Sequence, residues 1–533
     1  MFEKLLDNLF PRILTQVCRD SGSPFFGSFD RNWWHYKIRD FSSIIIQQGG
    51  YFSYLYAGFN KYNKYKVQLE EIARASVFFW AKRAIKHGAF EEYYPWEKGY
   101  PPTAFSTLAM AKLIEKLDLS DPTIDKALQV AAKQLINRFE PKAANQQVAG
   151  LAALAVIKRI RPQLVSDQKF EQLANKTLDL QNSEGWFVEY DGPDLGYLSV
   201  TMDCLWDLYD YTDNQKFYDA NVKALNYLAP FVDFASSNIG MHNARNTDYI
   251  VPYGISRFLN DPDKNIQKQA MRIFQNLYDR IDDDHFFLAI DDRYWIHYIG
   301  HSVARAQLLL NEQNNAGNIT SKIENVPDSV QQIFPHAGQL IFNKKQFKIL
   351  VSVNKGGILT VKNGDAIYSN FGWLVSANNK QYVTHWWDQD WDWKIVEDRV
   401  IISGYLVPHL ERESTPLKHM ILRITSLIFG NKIITKLKNQ LIFKAKKSQF
   451  LFNRSIELNE DSIVIKDSIN GIHKNYDVEL APRSSKRHVA SADSYQKEDF
   501  LLNRGFEVIE QNHVNNNIFE SEIVITGCTT NYT

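Results

Sequence analysis

The sequence predicts a two-domain α+β protein in which a long helical domain precedes an antiparallel β domain. Three observations support this prediction: 533 residues exceed what one core usually organises, apolar residues recur at helical spacing up to about residue 316, and they alternate with a period of two from about residue 334. A polar stretch separates the two patterns. We therefore expect domains at 1–316 and 334–533, joined by a linker at 317–333.

The first domain reads as a series of about a dozen helices joined by short loops. A clear example is 66–88, where apolar residues fall at intervals of three and four and Gly88 supplies a C-terminal cap. Many later helices begin with Asp, Ser or Pro, which favour the first turn. Helices of this kind with short connections predict stacked helical hairpins.

The second domain contains short alternating runs that predict an antiparallel β-sandwich. The stretch GQLIFNKKQFKILVSVNKGGILTVKNG (338–364) shows the pattern, with NKK and NKGG as turns. The segment 415–447 departs from it, because it is apolar on one face and strongly basic. It predicts a helix or paired strands packed on the sandwich; the alternative is a peripheral contact with a membrane, whose anionic headgroups attract Lys and Arg.

Bulk composition excludes several classes of protein. Lys plus Arg and Asp plus Glu both total 61, whereas a nucleic-acid binder would need a basic excess. The three cysteines, Cys18, Cys204 and Cys528, are too few and too widely spaced for a disulfide framework or a zinc site, so no metal is expected. The N-terminus predicts a short amphipathic helix and not a signal peptide, and no apolar run is long enough to cross a membrane, so a cytoplasmic location is expected.

An acidic and aromatic loop stands directly before one predicted helix. It belongs to the stretch NSEGWFVEYDGPDLGYLSVTMDCL (182–205). Its ordinary interpretation is a helix start capped by acidic residues, with the aromatic side chains in the core. The other interpretation is the floor of a sugar-binding cleft, because aromatic faces stack on sugar rings and a helix N-terminus favours an anion.

Together with three further segments, this loop resembles the heparinase II/III-like proteins. The four segments are EEYYPWEKGYPPTAFS (91–106), NQQVAGLAAL (145–154), EGWFVEYDGPDLGYLSVTMDCL (184–205) and ARNTDYIVPYGI (244–255). The resemblance rests on their order and spacing and spans most of the chain. It implies an incomplete α/α toroid followed by a β-sandwich, and the activity of a polysaccharide lyase without a cofactor.

The resemblance also implies the residues of a catalytic site. Asn145 matches the Asn that opens one toroid helix in the family, and Tyr197, fifty-two residues later, matches the catalytic Tyr. The His that usually follows the Asn is Gln146 here. For the family's His in the β domain, the best match is His385 in YVTHWWDQDWDW.

The chemistry of elimination needs these residue types. A lyase removes the proton next to a uronate carboxylate and expels the sugar at the neighbouring carbon, so neutral or cationic donors must stabilise the enediolate. Asn145 and Gln146 would contact the carboxylate, and Tyr197 would act as base and then as acid. His385 would assist or act as the base. No metal is required where such donors suffice.

Further residues are candidates for binding the substrate. Within the loop 236–254, Arg245 is the strongest, because its planar guanidinium matches a carboxylate with two hydrogen bonds. Besides Gln146, the set comprises Arg245, Asn246, Tyr249 and His242 from this loop, and Trp186 and Glu189 from the loop before Tyr197.

Each candidate also has a structural interpretation. Tyr197 could fill the core, Asn145 could cap its helix, and Gln146 could be a first-turn residue at the surface. The carboxylates at 189–194 could cap the next helix or form the acid and base of a glycoside hydrolase.

The expected function is β-elimination on an acidic, uronate-containing polysaccharide or oligosaccharide. A cytoplasmic location would suit bacterial surface-polysaccharide metabolism. Two alternatives stay open: a non-catalytic carbohydrate-binding or assembly protein of polysaccharide biosynthesis, and a glycoside hydrolase that uses the 189–194 carboxylates. Elimination leaves an unsaturated sugar that absorbs ultraviolet light and hydrolysis does not, so the products distinguish these functions.

Overall fold

The computed structural model describes residues 2–88, 90–234, 239–279, 290–312, 331–409, 413–429, 446–483 and 505–527. Helices occupy the described part up to Glu312, and strands begin at Gln332. The predicted order of a helical domain followed by an antiparallel β domain is confirmed. Most of the predicted linker 317–333 lies outside the described residues, and the first strand already starts within its last two residues.

The helical domain contains fourteen α-helices among its described residues. They are Glu3–Gln16 (α1), Arg31–Trp34 (α2), Gly49–Tyr56 (α3), Lys66–His87 (α4), Tyr100–Lys116 (α5), Pro122–Asn137 (α6), Ala144–Ile160 (α7), Asp167–Leu178 (α8), Leu195–Thr212 (α9), Gln215–Leu228 (α10), Tyr253–Ser256 (α11), Lys264–Asp279 (α12), Asp292–Tyr294 (α13) and Gly300–Glu312 (α14). A π-helical turn, Trp295–Ile299, joins α13 to α14. Cys18 and Cys204 are buried free thiols, and Cys528 lies outside the described residues.

These helices form an inner and an outer ring. The inner helices pack in the order α3, α5, α7, α9, α11 and α14, and α14 packs back against α3. Helices α5, α7 and α9 are buried along most of their length, whereas outer helices such as α6, α8 and α10 bury one apolar face. One inner position, α11, is only four residues long. The arrangement is an incomplete α/α toroid, as predicted.

The loops that precede the inner helices meet at one end of the ring. Because inner and outer helices alternate along the chain, all inner helices run in the same direction. Hydrogen bonds join successive loops: the N–H of Ile44 donates to the carbonyl of Glu91 (2.7 Å), and the N–H of Ala144 donates to that of Val188 (2.9 Å). We call this end of the toroid the loop end.

The β domain consists of three antiparallel sheets among its described residues. Its strands are Gln332–Phe334 (β1), Gln339–Lys344 (β2), Phe347–Ser352 (β3), Ile358–Asn363 (β4), Ala366–Asn370 (β5), Trp373–Ala377 (β6), Lys380–Val383 (β7), Asp392–Val396 (β8), Arg399–Tyr405 (β9), Val407–Pro408 (β10), Leu451–Leu458 (β11), Ser462–Asn470 (β12), Asp477–Leu480 (β13), Phe506–Asn515 (β14) and Ile518–Gly527 (β15). The strand orders are β1-β2-β3-β4-β5, β10-β7-β6-β13 and β14-β15-β12-β11-β9-β8. The long strands β11 and β12 alternate between more and less buried residues, which is the period of two seen in the sequence.

A buried ion pair connects the three sheets. Arg454 on β11 donates through Nε and Nη2 to the two carboxylate oxygens of Asp467 (2.8 and 2.7 Å), and through Nη1 to the carbonyl of Gly357 (2.8 Å) just before β4. Trp373 on β6 donates its indole N–H to the same carboxylate (2.7 Å). The guanidinium and the carboxylate are both fully buried, so each depends on the other for its charge to be tolerated.

The β domain packs on the loop end of the toroid through polar contacts. Lys355, buried in the short turn after β3, donates its ammonium group to the carbonyls of Met241 (2.5 Å) and Asn243 (2.7 Å). On the neighbouring loop, Glu184 accepts the backbone N–H groups of residues 336 and 337 (2.8 and 3.0 Å). The loops that precede α9 and α11 are therefore held in place by the second domain.

One helix interrupts the β domain, at Pro416–Phe429 (α15). This confirms the helical alternative for the first part of the segment 415–447, and 430–445 lies outside the described residues. The sequence favoured packing on the sandwich, but the described hydrogen bonds of the helix to other elements reach the helical domain: Arg423 pairs with Asp40, and the hydroxyl of Ser426 donates to the carbonyl of Pro95. Among the described residues, no helix combines the length and the apolar character needed to span a bilayer.

Candidate functional site

A tight turn shapes the acidic, aromatic loop before α9. Tyr190 (φ +54°) and Asp191 (φ +75°) both adopt left-handed backbone, and the flanking Glu189 and Gly192 exchange backbone hydrogen bonds of 2.8 and 3.3 Å. Two successive positive φ values define a type I′ turn. Left-handed backbone costs a residue other than glycine about 1–3 kcal/mol. Lys142 stabilises the turn, since its carbonyl accepts the N–H of Tyr190 (2.6 Å) and its ammonium pairs with Asp191.

The turn places Glu189 at the N-terminus of α7. Its Oε1 accepts the backbone N–H of Asn145 (2.7 Å), one of the amides that the helix itself leaves unsatisfied. Asn145 is the second residue of α7 and Ala143 occupies the cap position, so the interpretation of Asn145 as a cap is wrong. Gln146 follows in the first turn but is buried, so its interpretation as a surface residue is also wrong.

Three buried polar atoms at this point have no hydrogen-bond partner among the residues that the structure describes. They are Oδ1 of Asn145, Oε1 of Gln146 and Oε2 of Glu189. Rotating either amide by half a turn exchanges its oxygen and its nitrogen, so each side chain can accept or donate a hydrogen bond at the helix start. Buried polar atoms in native proteins are nearly always paired with protein, water or a ligand. A cluster of three such atoms can bind a polar ligand or water.

Burial disfavours the charged form of Glu189. Burial raises the pKa of its carboxyl well above the usual range; the hydrogen bond from Asn145 and the charge of Arg245 act against this rise, and the nearby Asp194 carboxylate adds to it. In the protonated form one carboxyl oxygen accepts the Asn145 N–H while the other is a donor. Protonation of Glu189, which burial favours, would thus give the site a further hydrogen-bond donor.

Asp194 connects α9 with the loop before α11. Its Oδ1 accepts the N–H of Tyr197 (3.0 Å), which makes it the N-cap of α9, as one interpretation of the loop predicted. Its Oδ2 accepts the N–H groups of Arg245 (3.2 Å) and Thr247 (3.3 Å). Burial raises the pKa of Asp194 to about 6, although these hydrogen bonds and the charge of Arg245 act in the opposite direction. The backbone N–H groups of Tyr197 and Arg245 thus bind the two different oxygens of one carboxylate.

Tyr197 is the one residue between Gly192 and Leu208 that is not buried. Its ring lies edge-on to that of Tyr249, with 6.5 Å between the ring centroids. The remaining side chains of this stretch pack inside the toroid. Tyr197 is therefore the point at which the first turn of α9 reaches solvent at the loop end.

Arg245 supplies positive charge at the same place. Its guanidinium lies over the ring of Tyr190, 4.4 Å from the centroid, in a cation–π contact. Its charge lowers the pKa of both Glu189 and Asp194, which places it within electrostatic reach of both carboxyl groups. The left-handed turn thus has a second effect, because it presents the aromatic face on which Arg245 rests.

The β domain brings a loop over this turn. The Trp387 ring lies so close to Gly192 that a Cβ on that glycine would overlap with it, and the side-chain amide of Gln389 donates to the carbonyl of Asp191 (3.3 Å). His385, two residues before Trp387, is buried in the same connection between β7 and β8. The segment that carries His385 is therefore packed against the turn that leads to Tyr197.

His242, expected to bind substrate, lies in the packing between the two domains. His242 is fully buried between the domains, with Nδ1 2.7 Å from the hydroxyl of Ser352 and Nε2 2.8 Å from that of Thr360. Burial, with a smaller effect of the Lys355 charge, lowers the pKa of His242 to about 3. Both ring nitrogens serve the packing of the two domains and none is left for a ligand.

Three other predicted binding residues also use their polar atoms inside the protein. The hydroxyl of Tyr249 bonds that of Tyr298 (2.6 Å), both rings being buried. Trp186 lies in the core and donates its indole N–H to Glu184 (2.8 Å). The amide oxygen of Asn246 accepts from Lys355. The structure thus places the polar atoms of these three side chains in contacts within the protein.

Three residues that shape the site escaped the sequence analysis. Nothing in the sequence indicates left-handed backbone at Tyr190, because that conformation would be expected of the glycine two positions later. Trp387 had a signal, since it belongs to a run with four tryptophans, but attention rested on the neighbouring His385. Lys355 lies in a sequence typical of an exposed turn, and only the second domain explains its burial.

Comparison with solved structures finds lyases to which this chain is similar, each with a TM-score below 0.5. The chain is similar to heparinase III (11% identity, TM-score 0.48, covering 93% of this chain and 77% of the other) and to the chondroitin AC lyase of Streptomyces coelicolor A3 (9%, 0.43, 98% and 80%). It is also similar to a Paenibacillus xanthan lyase (11%, 0.44, 88%), of whose length it covers 45%, less than half. No model of a protein family and no curated protein matches the sequence.

Proposed function

We propose that the loop end binds an acidic, uronate-containing polysaccharide or oligosaccharide and cleaves it by β-elimination. One observation carries this proposal: a partly exposed tyrosine, Tyr197, opens a helix beside a cluster of buried and unpartnered polar groups on Asn145, Gln146 and Glu189. Such a combination suits the binding of a polar ligand next to a group that can transfer a proton.

The buried cluster suits the carboxylate of a uronate. The amides of Asn145 and Gln146 can donate hydrogen bonds to it, as can Glu189 in the protonated form that its burial favours, and Arg245 adds positive charge. When the neighbouring proton leaves, the carboxylate gains a second negative charge as an enediolate. Donors that are already in place stabilise this charge without reorganisation, which is how most of the barrier to elimination is lowered.

Tyr197 is the proposed base and acid. As a phenolate it takes the proton next to the carboxylate, the carbon–oxygen bond at the neighbouring carbon breaks as the double bond forms, and the phenol returns its proton to the leaving oxygen. Arg245, whose backbone N–H shares the Asp194 carboxylate with that of Tyr197, would supply the positive charge that a phenolate needs. His385, held against the turn by its neighbours, would assist or act as the base in place of Tyr197.

The engagement of Asp194 disfavours a glycoside hydrolase. Hydrolysis needs two carboxyl groups free to act on the glycosidic oxygen and on water. Both oxygens of Asp194 already accept backbone N–H groups, and Glu189 has one oxygen in the same use. These carboxyl groups organise the loop end and are not arranged as an acid and a base.

Gln146 favours a second candidate function, binding without turnover. Where the family has a His, an amide can hold a carboxylate but cannot exchange a proton with the substrate. A protein of this kind would keep the donor cluster and serve in carbohydrate binding or in the assembly of a polysaccharide.

The test is a screen of uronate-containing polysaccharides, each paired with its carboxyl-reduced derivative. Ultraviolet absorbance of the unsaturated sugar and the number of new reducing ends are followed together. We expect both to rise with the native polymer and neither with the reduced one. Reducing ends without absorbance would establish hydrolysis, and calorimetric binding that Asn145→Ala abolishes, without any product, would establish the binding protein; either result rejects the lyase.

A further inference from the structure

Helix α15 packs on the toroid with its polar side. The guanidinium of Arg423 makes two hydrogen bonds to the carboxylate of Asp40 (2.7 and 3.0 Å). Ser426, the buried residue of the helix, donates its hydroxyl to the carbonyl of Pro95 (3.2 Å). Both partners lie in the loops before α3 and α5, so the helix rests on the loop end.

The apolar side of α15 faces outward. Surface helices normally bury an apolar stripe with the spacing i, i+3, i+4, i+7, and here the stripe with that spacing lies on the exposed side. Its members, each 52–65% exposed, are Leu417, Met420, Ile421, Ile424, Leu427 and Ile428. A stripe of this length is too regular to be a scatter of single surface residues and marks an interaction surface.

Aromatic side chains extend this surface on the toroid. Tyr93 and Trp96 lie in the same loop as Pro95, one before it and one after it in the sequence, and they are 65% and 38% exposed. Ile38, two residues before Asp40, is 72% exposed and follows Lys37, which is also exposed. Apolar residues bordered by Trp, Tyr and Lys are typical of protein surfaces that sit at the boundary of a lipid bilayer.

The charge of the segment agrees with this. In a chain with equal numbers of acidic and basic residues, 415–447 contains eight Lys and Arg and no Asp or Glu. Lys418 is on α15 itself and is exposed. A polysaccharide would satisfy the basic charge but not the apolar stripe, whereas a bilayer with anionic headgroups satisfies both.

We propose that α15 docks the protein on an anionic lipid surface, with its apolar stripe in the headgroup region and its polar side on the toroid. Docking would place the loop end, with Asn145 and Tyr197, close to the bilayer. The inference stands independently of the elimination chemistry, because it rests on the outer side of α15 and not on the buried polar cluster.

The test is co-sedimentation of the full chain with vesicles of phosphatidylcholine alone or mixed with phosphatidylglycerol. The double variant Ile421→Glu, Ile424→Glu removes apolar character from two positions that are each 52% exposed, and Ile509→Glu on β14 is the matched control with the same exposure. Circular dichroism checks that each variant is folded.

We expect the wild type and Ile509→Glu to bind the mixed vesicles, and the double variant to bind at least about tenfold more weakly, because it adds two negative charges and removes two apolar anchors. Binding of the wild type should be weaker on phosphatidylcholine alone. Three results would overturn the proposal: no binding by the wild type, equal binding by the double variant, or a lipid-free dimer of the wild type that the double variant dissociates, since a second copy would then cover the stripe.

Discussion

His242 gives a direct test of how the two domains hold the loop end together. The loop before α11 carries both His242 and Arg245, and the buried imidazole between Ser352 and Thr360 ties that loop to the β domain. If the ring is neutral and enclosed as the structure describes, then protonating it must oppose folding. The change that tests this is His242→Gln, which keeps an amide able to hydrogen-bond but removes the titrating group.

The size of the effect follows from the pKa. Burial first, and the Lys355 charge second, lower the pKa of His242 to about 3 in the folded protein, whereas an unfolded-state histidine titrates near ~6.5. Between these values the unfolded chain binds a proton that the folded chain does not, so this contribution to stability is complete above pH ~6.5 and is lost as the pH falls. At pH ~5, about 1.5 units below the unfolded-state pKa, the loss is about 2 kcal/mol.

The assay is urea denaturation at neutral pH and near pH 5. The free energy of unfolding of the wild type should fall by about 2 kcal/mol more than that of His242→Gln over this interval, whatever the absolute stability of the variant. His336→Gln, which changes an exposed histidine of the same interface, is the control and should follow the wild type. Equal slopes for the wild type and His242→Gln would refute the buried, neutral imidazole.

Further changes test other parts of the structure. Gly192→Ala would force the Trp387 ring away from the turn, so it should lower the free energy of unfolding by about 1–3 kcal/mol and shift the tryptophan fluorescence. The control Gly22→Ala, at an open position, should be neutral. An unchanged fluorescence spectrum of Gly192→Ala would contradict the contact. Arg454→Met should lower the free energy of unfolding by about 3–5 kcal/mol by leaving the Asp467 carboxylate buried without its partner, and a loss under about 1 kcal/mol in denaturation would contradict a buried pair. Folding raises the pKa of Glu189, so its carboxyl lowers the stability of the fold as the pH rises above the unfolded-state pKa. Glu189→Gln should therefore raise the melting temperature at pH ~7.5 and have little effect near pH ~4. A lower melting temperature of the variant at pH ~7.5 would show that the charged form is the stable one.

The architecture was predictable where one local signal decided the outcome. Gly88 adopts the left-handed conformation at the end of α4, as its position after an apolar helix indicated. Asp194 caps α9, and the change of hydrophobic period near residue 334 corresponds to the first strands. Such features depend on neighbours in the sequence, so the sequence alone carries them.

The site was less predictable because its side chains are sorted by tertiary contacts. His242 and Arg245 lie three residues apart in one polar loop, but only the approach of Ser352 and Thr360 buries the first. The same holds for α15, whose amphipathic pattern predicts a helix but does not say which side packs on the protein. Asn145 and Tyr197 were singled out through the resemblance and lie in the first turns of α7 and α9, whereas the role of Tyr190 as the support of Arg245 depends on a strained turn.

The proposed chemistry depends most directly on the hydroxyl of Tyr197, so the decisive measurement is the initial rate at which Tyr197→Phe forms unsaturated product. The substrate is a uronate polymer that the wild type cleaves, and Tyr209→Phe, a partly buried tyrosine on the same helix, is the matched control. We expect Tyr197→Phe to be slower by about 10²–10⁴-fold with binding retained, and Tyr209→Phe to match the wild type. A rate for Tyr197→Phe equal to that of the wild type would contradict the assignment of Tyr197 as base and acid.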